Sequence, residues 1–513
     1  MGIALQNRFD GGKQIDKRSR VANGFFDCKH FDFLTHPHRL TPFPEFVANQ
    51  TLAYFLADFV IGDFGTGIGT NILAHGVISG QGISGKSELY MKTGGSNIIS
   101  DAWTTALTAT GAATLNRGAV NTGAVKLWHL YKNYIYYGAG GTHIGRIGDL
   151  SAGTAATFAE THFDITNFTT LSNGITFSKN DAMYFGADNI MYWKSGASAI
   201  ASLLTLPSSF SIVSICEYGN LIAIGCTSND GANASATKIS TVFLWDGVSS
   251  DVMDTILWGN GALKVLDSLY GVLVGISHYG GSVFTATNPR LFVRGYAGGE
   301  PFLIAEQIAS NTAGIVRTHK VKQENKLYFS ASDGTDYSLW IISKNLLGQL
   351  VVSKDVMPNN DTAVSTIDGF ARFGDVWYVA YNADGSVNRI KTDGASDTIS
   401  YTTTSVFDSL VNPNMEEGDK FRLKQLTRVA VSYIPLSSSL TASVVLQYSV
   451  DGGSFTTITT NTSTNTLATQ EFEMVDAAGV QFTSGREYQF RIKSTGGAVI
   501  TEIKYWYEII DLL

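Results

Sequence analysis

The chain has 513 residues, 44% hydrophobic and 16% charged, with 53 Gly, 9 Pro and a formal net charge of −8. This length holds two or three domains, or one large repeat domain with additions, and the apolar content suffices for a large core. The acidic balance excludes general affinity for nucleic-acid backbones, and no run of about 18 apolar residues offers a membrane-spanning helix. Abundant Gly, Thr, Ser, Tyr and Phe beside sparse Lys and Glu favour strands joined by tight turns. Cys28, Cys216 and Cys226 are scattered and odd in number, so they read as small buried hydrophobes, with no disulfide framework, metal set or cofactor expected. The first ten residues lack the apolar core of a secretory signal, and synthesis in a reducing cytoplasm is expected.

Residues 1–50 are predicted to form an extended arm. Arg8, Lys13, Lys17, Arg18, Arg20, Lys29 and Arg39 make the stretch basic, and its apolar residues are isolated aromatics. Neither a period of about 2.0 nor one of about 3.6 residues is sustained. His36-Pro-His-Arg-Leu-Thr-Pro-Phe-Pro holds the backbone extended ahead of each proline. Such a segment buries little by itself, yet it is too aromatic for a plain disordered tail. It is therefore expected to lie along another surface, in cis or on a neighbouring subunit. Phe9, Arg18, Phe25, Phe31, His36, Arg39 and Phe43 are the candidate interface residues.

Residues 51–411 carry a phrase that recurs seven times: a turn residue, a β-rich run, a small residue, a polar turn and a second run. The copies read Asn71-Ile-Leu-Ala-His-Gly, Asn133-Tyr-Ile-Tyr-Tyr-Gly, Asp181-Ala-Met-Tyr-Phe-Gly, Asn220-Leu-Ile-Ala-Ile-Gly, Gly271-Val-Leu-Val-Gly, Asn325-Lys-Leu-Tyr-Phe-Ser and Asp375-Val-Trp-Tyr-Val-Ala. Spacings from about 39 to about 62 residues, centred near about 50, match a four-stranded propeller blade. A β-propeller of about seven blades is predicted, with six or eight as the alternatives. The apolar runs in the phrase, such as Tyr134-Ile-Tyr-Tyr and Leu221-Ile-Ala-Ile, are expected as inner strands, covered on both faces. Closure is expected to pair Leu52-Ala-Tyr-Phe-Leu-Ala, or the strand after it, with the last blade near Thr398-Ile-Ser-Tyr, hiding the sheet edges.

Residues 412–513 change to longer alternating strands, including Leu426-Thr-Arg-Val-Ala-Val-Ser-Tyr, Ala442-Ser-Val-Val-Leu-Gln-Tyr-Ser and Ile503-Lys-Tyr-Trp-Tyr-Glu-Ile. Asp451-Gly452 between two of them is a hairpin signal, and the segment is predicted as a β-sandwich of jelly-roll type. The fold class is all-β throughout.

Candidate chemistry is thin. His30, His36 and His38 cluster in the arm, but no ligand spacing accompanies them, so they read as surface or interface residues. Ser449-Val-Asp-Gly-Gly-Ser-Phe resembles an Asp-box hairpin, and it reads with Ser332-Asp-Gly-Thr and Asn382-Ala-Asp-Gly-Ser as a structural turn. A glycosidase needs two carboxylates about 5 to 10 Å apart, for which Asp63, Glu88, Glu217 and Asp267 are candidates whose convergence spacing cannot show. The arginines that a sialidase-like site needs, Arg117, Arg146, Arg290, Arg294 and Arg317, are dispersed. Trp506, flanked by Tyr505 and Tyr507, reads as core and not as a sugar platform.

Arg8-Phe-Asp-Gly-Gly-Lys-Gln-Ile-Asp-Lys-Arg, then Asn23-Gly-Phe-Phe-Asp-Cys-Lys-His-Phe-Asp, then His36-Pro-His-Arg-Leu-Thr-Pro resembles the start of tailed-bacteriophage structural proteins. The ending, Gln447-Tyr-Ser-Val-Asp-Gly-Gly-Ser-Phe with Gln489-Phe-Arg-Ile and Ile503-Lys-Tyr-Trp-Tyr, is similar to the closing sandwich of phage virion proteins. The resemblance covers about a quarter of the chain, at its two ends, and it implies a nozzle- or hub-like component of a virion tail or neck. It further implies a non-catalytic scaffold in several symmetric copies, made in the bacterial host cytoplasm. Its partners would be other virion proteins, with no membrane and no sequence-specific nucleic acid. The competing expectation is a receptor- or glycan-binding tail protein, or a glycan-cleaving one.

Overall fold

Every described copy of the recurring phrase forms the second strand of an antiparallel hairpin. Phe210–Tyr218 joins Leu221–Ser228 through a two-residue loop, and the same loop length links Ala262–Leu269 to Val272–Tyr279 and Lys320–Gln323 to Lys326–Ser332. Tyr270 and Gly271 carry φ of 53° and 78°, and Glu324 and Asn325 carry 51° and 59°. Positive φ at both loop positions is the type I′ geometry, whose twist matches that of the flanking strands. At Asp181, Gly271 and Asn325 the turn residue that opens the phrase is thus a backbone requirement, whereas in the Gly219-Asn220 loop the positive φ falls on Gly219, at 58°.

The structure is a computed structural model. Before residue 168 it describes the stretches 2–6, 8–9, 18, 25–29, 31–34, 36, 38–43, 47–51, 88–92, 97–102, 116–119, 127–132, 134–139, 143–148 and 157–165. Beyond that it describes 168–228, 238–279, 290–308, 320–332, 337–345, 348–356, 367–373, 376–381, 386–391, 404–436, 441–463, 468–473 and 484–510. The copy at Asn71 and the turns at Asp333 and Asn382 lie outside the described residues. The chain divides into two compact units, each with its own core.

The larger unit comprises residues 46–339 and 361–395. Among the described residues it contains, in chain order, sheets at 88–119, 128–164, 175–205, 210–260 and 262–308, the hairpin 320–332, and a sheet at 367–391. These are the blades of a β-propeller, called blades 1 to 7 below. In blades 2 to 5 four strands follow one another across the sheet in sequence order. The first strand lies innermost: Phe210–Tyr218 of blade 4 packs against Ala262–Leu269 of blade 5, and both are buried along their middles. The fourth strand is peripheral, and Leu257 in Asp254–Asn260 is 68% exposed. This differs from the sequence expectation, which put the phrase itself innermost. Its runs are continuously apolar because neighbouring blades cover both faces of the second strand, not because that strand lines the axis.

Blade 7 is completed by Val47–Thr51, which pairs antiparallel with Ser386–Lys391 (Ser386↔Thr51, Arg389↔Val47) and supplies its outer strand. Closure therefore joins the N-terminal side of the unit to its last blade, as expected, but through residues ahead of those predicted on both strands. Segments 52–87 and 392–403 lie outside the described residues.

Blades pack through aromatic and aliphatic layers. Between blades 3 and 4 the Tyr184 and Trp245 rings meet edge to face at 5.7 Å, and the Tyr184 hydroxyl donates to the Gly247 carbonyl at 2.9 Å. The small residue that closes the phrase has a packing cause: a Cβ on Gly225 would stand 2.6 Å from Leu263 Cδ2 of the next blade.

The smaller unit gathers residues 1–45, 340–360 and 396–513. One of its sheets runs Gly2–Gln6, Ala498–Ile509, Lys424–Pro435, Ala468–Glu473. The other includes, in order, Leu350–Val356, Phe25–Lys29, Ser405–Ser409, Tyr488–Thr495, Ala442–Val450 and Thr456–Ser463. The nested pairing of Lys424–Pro435 with Ala498–Ile509, and of Ala442–Val450 with Tyr488–Thr495, is of jelly-roll type. Both sheets contribute to one core that includes Val429, Leu446, Phe490, Ile503 and Tyr505. The sandwich is thus wider than 412–513: the arm adds a strand to each sheet, and Ser405–Ser409 joins it from the segment read as propeller. Asp451 and Gly452, at φ 47° and 77°, form the predicted hairpin turn, and the Asp451 carboxylate accepts the Arg486 and Glu487 amides at 2.9 and 2.8 Å.

Candidate functional site

Within the propeller unit, the inner strands of blades 2 to 6 bring polar side chains to one cavity of about 450 Å³. Blade 2 contributes His129, blade 3 Thr176, blade 4 Glu217, blade 5 Asp267, and blade 6 Lys320 and Lys322. Four of the five blades place this residue three or four positions before the turn residue of the recurring phrase. The ring-like arrangement of near-equivalent hairpins converts that common offset into a common location.

The floor of the cavity is a buried ion pair. Lys320 Nζ stands 2.8 Å from Asp267 Oδ2, and it also donates to the Ile215 carbonyl at 3.1 Å and to the Leu266 carbonyl. Asp267 Oδ1 accepts the Ser268 amide at 2.7 Å and faces Lys322 Nζ at 3.4 Å. Burial works to raise the Asp267 pKa, but the two lysines and these hydrogen bonds outweigh it and hold the carboxyl below its usual range. Lys320 thereby ties the inner strands of blades 4, 5 and 6 together. Asn173 makes the matching tie from blade 3: its side chain donates to the Ile215 carbonyl and accepts the Ile215 amide, each at 3.0 Å.

The rim is less tightly engaged. His129 Nε2 hydrogen-bonds Thr176 Oγ1 at 2.9 Å, and burial lowers the imidazole pKa to about 4. At neutral pH it is a neutral hydrogen-bonding group. The Cys216 thiol is pushed up to about 12 by burial, which removes it as a thiolate nucleophile. Glu217 accepts a hydrogen bond from the Ser178 hydroxyl. Lys322 keeps 42% of its side chain exposed.

Of the candidate carboxylates, the structure brings Glu217 and Asp267 to one cavity. Asp63, Arg317 and His30 lie outside the described residues, as do the side chains of Glu88 and Arg117. The remaining propeller arginines serve elsewhere. Arg146 stacks on Tyr134 at 4.6 Å, Arg290 pairs with Glu306 at 3.3 Å, and Arg294 donates to Ser277 at 3.0 Å. The cations at the cavity are lysines, which the sequence reading did not single out. Lys322 shares the offset from the turn residue, whereas Lys320, two positions further back on the strand, does not. Among the described residues no group of three His, Cys, Asp or Glu could hold a metal ion.

The arm residues fall in the sandwich unit. Phe9, Phe25 and Phe31 are fully buried there, with Phe9 and Phe25 at 5.4 and 5.8 Å from the Phe407 ring. Of the two surfaces open to the arm, the chain's own sandwich takes these three side chains, which present nothing to a neighbouring subunit in this arrangement. Arg18 makes a bidentate pair with Glu487 at 2.7 and 3.0 Å. His36 is exposed, while Arg39 and Phe43 are half-buried. Trp506 is 7% exposed and covered by Arg428 at 3.8 Å, so it offers no open platform for a sugar ring.

No family profile and no curated protein matches the sequence. Among solved structures, the chain is similar to the Neurospora crassa Pan2 WD40 domain at 10% identity and a TM-score of 0.38, covering 59% of this chain and 84% of that one. It is similar to the Dos1 propeller at 10% identity and a TM-score of 0.36, over 59% and 88% of the two chains. A glycoside hydrolase aligns at 12% identity and a TM-score of 0.28, over 74% and 96%. Likeness at this level concerns the fold and transfers no site.

Proposed function

We propose that this protein is a non-catalytic structural component of a bacteriophage virion tail or neck, nozzle- or hub-like, acting as a rigid scaffold in a symmetric homo-oligomer. The virion assignment is supported by the resemblance of the arm and of the C-terminal strands to phage structural proteins. One observation carries the scaffold reading: the polar side chains at the inner ends of the blades tie blade to blade, with Lys320 alone binding strands of blades 4, 5 and 6. The arm acts in the same sense, adding a strand to each sandwich sheet. Exposed apolar side chains on outer strands, Leu257 at 68% and Phe302 at 45%, supply surface for neighbouring subunits.

Glycan cleavage is the weaker reading. Of the two acids at the cavity, Asp267 is engaged by Lys320, Lys322 and the Ser268 amide, which leaves it no free oxygen to act as nucleophile or base toward a glycosidic bond. The test is antibody labelling of intact virus particles from cells that make this chain. Symmetric label at the tail or neck is expected; particles that lack the chain would end the proposal.

A further inference from the structure

The cavity on the propeller unit has a charge layout that inter-blade tying does not explain. Asp267 carries one negative charge and faces two ammonium groups, Lys320 at 2.8 Å and Lys322 at 3.4 Å, so the wall formed by blades 5 and 6 is net positive. Lys320 is buried, and its donors go to Asp267 and two carbonyls. Lys322, with 42% of its side chain exposed, is the more accessible of the two cations. On blade 4, Glu217 lines the same cavity with a negative charge, steadied by the Ser178 hydroxyl. The remaining titratable lining groups, His129 and Cys216, are uncharged at neutral pH. The site thus reduces to one cation and one anion on separate blades, each held by its own partner. A simple anion would meet Lys322 but be repelled by Glu217; a simple cation would meet the reverse.

We propose that this cavity binds a small zwitterion, with its anionic group on Lys322 and its ammonium group on Glu217. The His129 and Thr176 pair and Ser268 line the same cavity as neutral hydrogen-bonding residues. The volume of about 450 Å³ falls within the roughly 300–1,000 Å³ of small-molecule sites. The shared chemistry is that of a free amino acid or of an amino-phosphate headgroup, and this inference is independent of the virion reading.

The experiment is calorimetric titration and thermal melting of the full chain with L-alanine, L-lysine and phosphoethanolamine, using acetate and ethylammonium as one-charge controls at matched ionic strength. At least one zwitterion is expected to bind saturably and raise the melting temperature, and phosphoethanolamine against the amino acids distinguishes the two sources. Lys322→Gln and Glu217→Gln should each weaken that binding by about tenfold or more, the scale of one lost charge-assisted hydrogen bond. Both side chains are at the rim, so ligand-free melting of either variant should stay near the parent. The exchange Glu217→Lys with Lys322→Glu should recover part of the binding lost in the single variants. The proposal is overturned if no zwitterion binds, if acetate or ethylammonium binds as tightly, or if neither single variant alters binding.

Discussion

Asp267 and Lys320 join the inner strands of blades 4, 5 and 6. Replacing Asp267 by Asn leaves the buried Lys320 ammonium without its counter-charge, and a loss of about 3–5 kcal/mol is expected from chemical denaturation. A stability change under about 1 kcal/mol, the worth of an exposed pair, would show that water reaches the pair. The cavity also sets an acid limit. His129 titrates at about 4 in the folded chain against 6.5 unfolded, so the unfolded state binds more protons between those values and stability falls as pH drops from about 6.5 to about 4. Asp267, depressed in the fold, adds stability above its unfolded value of 3.8 that is lost as pH falls below it. Denaturation midpoints should therefore decline monotonically from pH 7 to pH 3, and His129→Gln should flatten the upper part of that decline. An unchanged profile in that variant would show that His129 does not set the limit.

Among the elements, the hairpin that opens each blade holds two glycine roles that the sequence alone presents as one. Gly271 sits at φ 78° with nothing within 4 Å of an added Cβ, so Gly271→Val should cost roughly 1–2 kcal/mol through backbone conformation alone. Gly225 has ordinary backbone, but a Cβ there would press on Leu263 at 2.6 Å and the Ser214 carbonyl at 3.0 Å. Gly225→Ala should cost roughly 1–3 kcal/mol by overpacking, and trimming Leu263 to Ala should recover part of it in a double-mutant cycle. Full additivity of the two changes would contradict the contact. The turn residues and the alternating strands were legible because they are local demands on φ and on facing. Which strand of a blade lies innermost was not, since Leu221–Ser228 is as apolar as a strand on the axis would be.

For the molecule as a whole, the arm decides whether the sandwich is complete. A chain starting at residue 46 loses the strands Gly2–Gln6 and Phe25–Lys29 together with Phe9, Phe25 and Phe31. Hydrogen exchange should then show loss of protection across 404–510 while blades 3 to 5 stay protected. A chain starting at residue 52 also loses Val47–Thr51, and exchange in 386–391 should rise further because blade 7 has lost its closing strand. Equal protection of 404–510 with and without the arm would show that the arm is dispensable to the sandwich.

By itself the amino-acid order determined the strands, the hairpin turns, the repeat and the presence of a second, alternating β module, because each follows from backbone preference and periodicity within a few residues. The tertiary structure alone decided where the isolated phenylalanines of the arm are covered, and that Glu217, Asp267, Lys320 and Lys322 share one cavity. Contacts between residues about one blade or several hundred positions apart leave no periodic trace, and only closure of the sheets on one another brings such groups within reach.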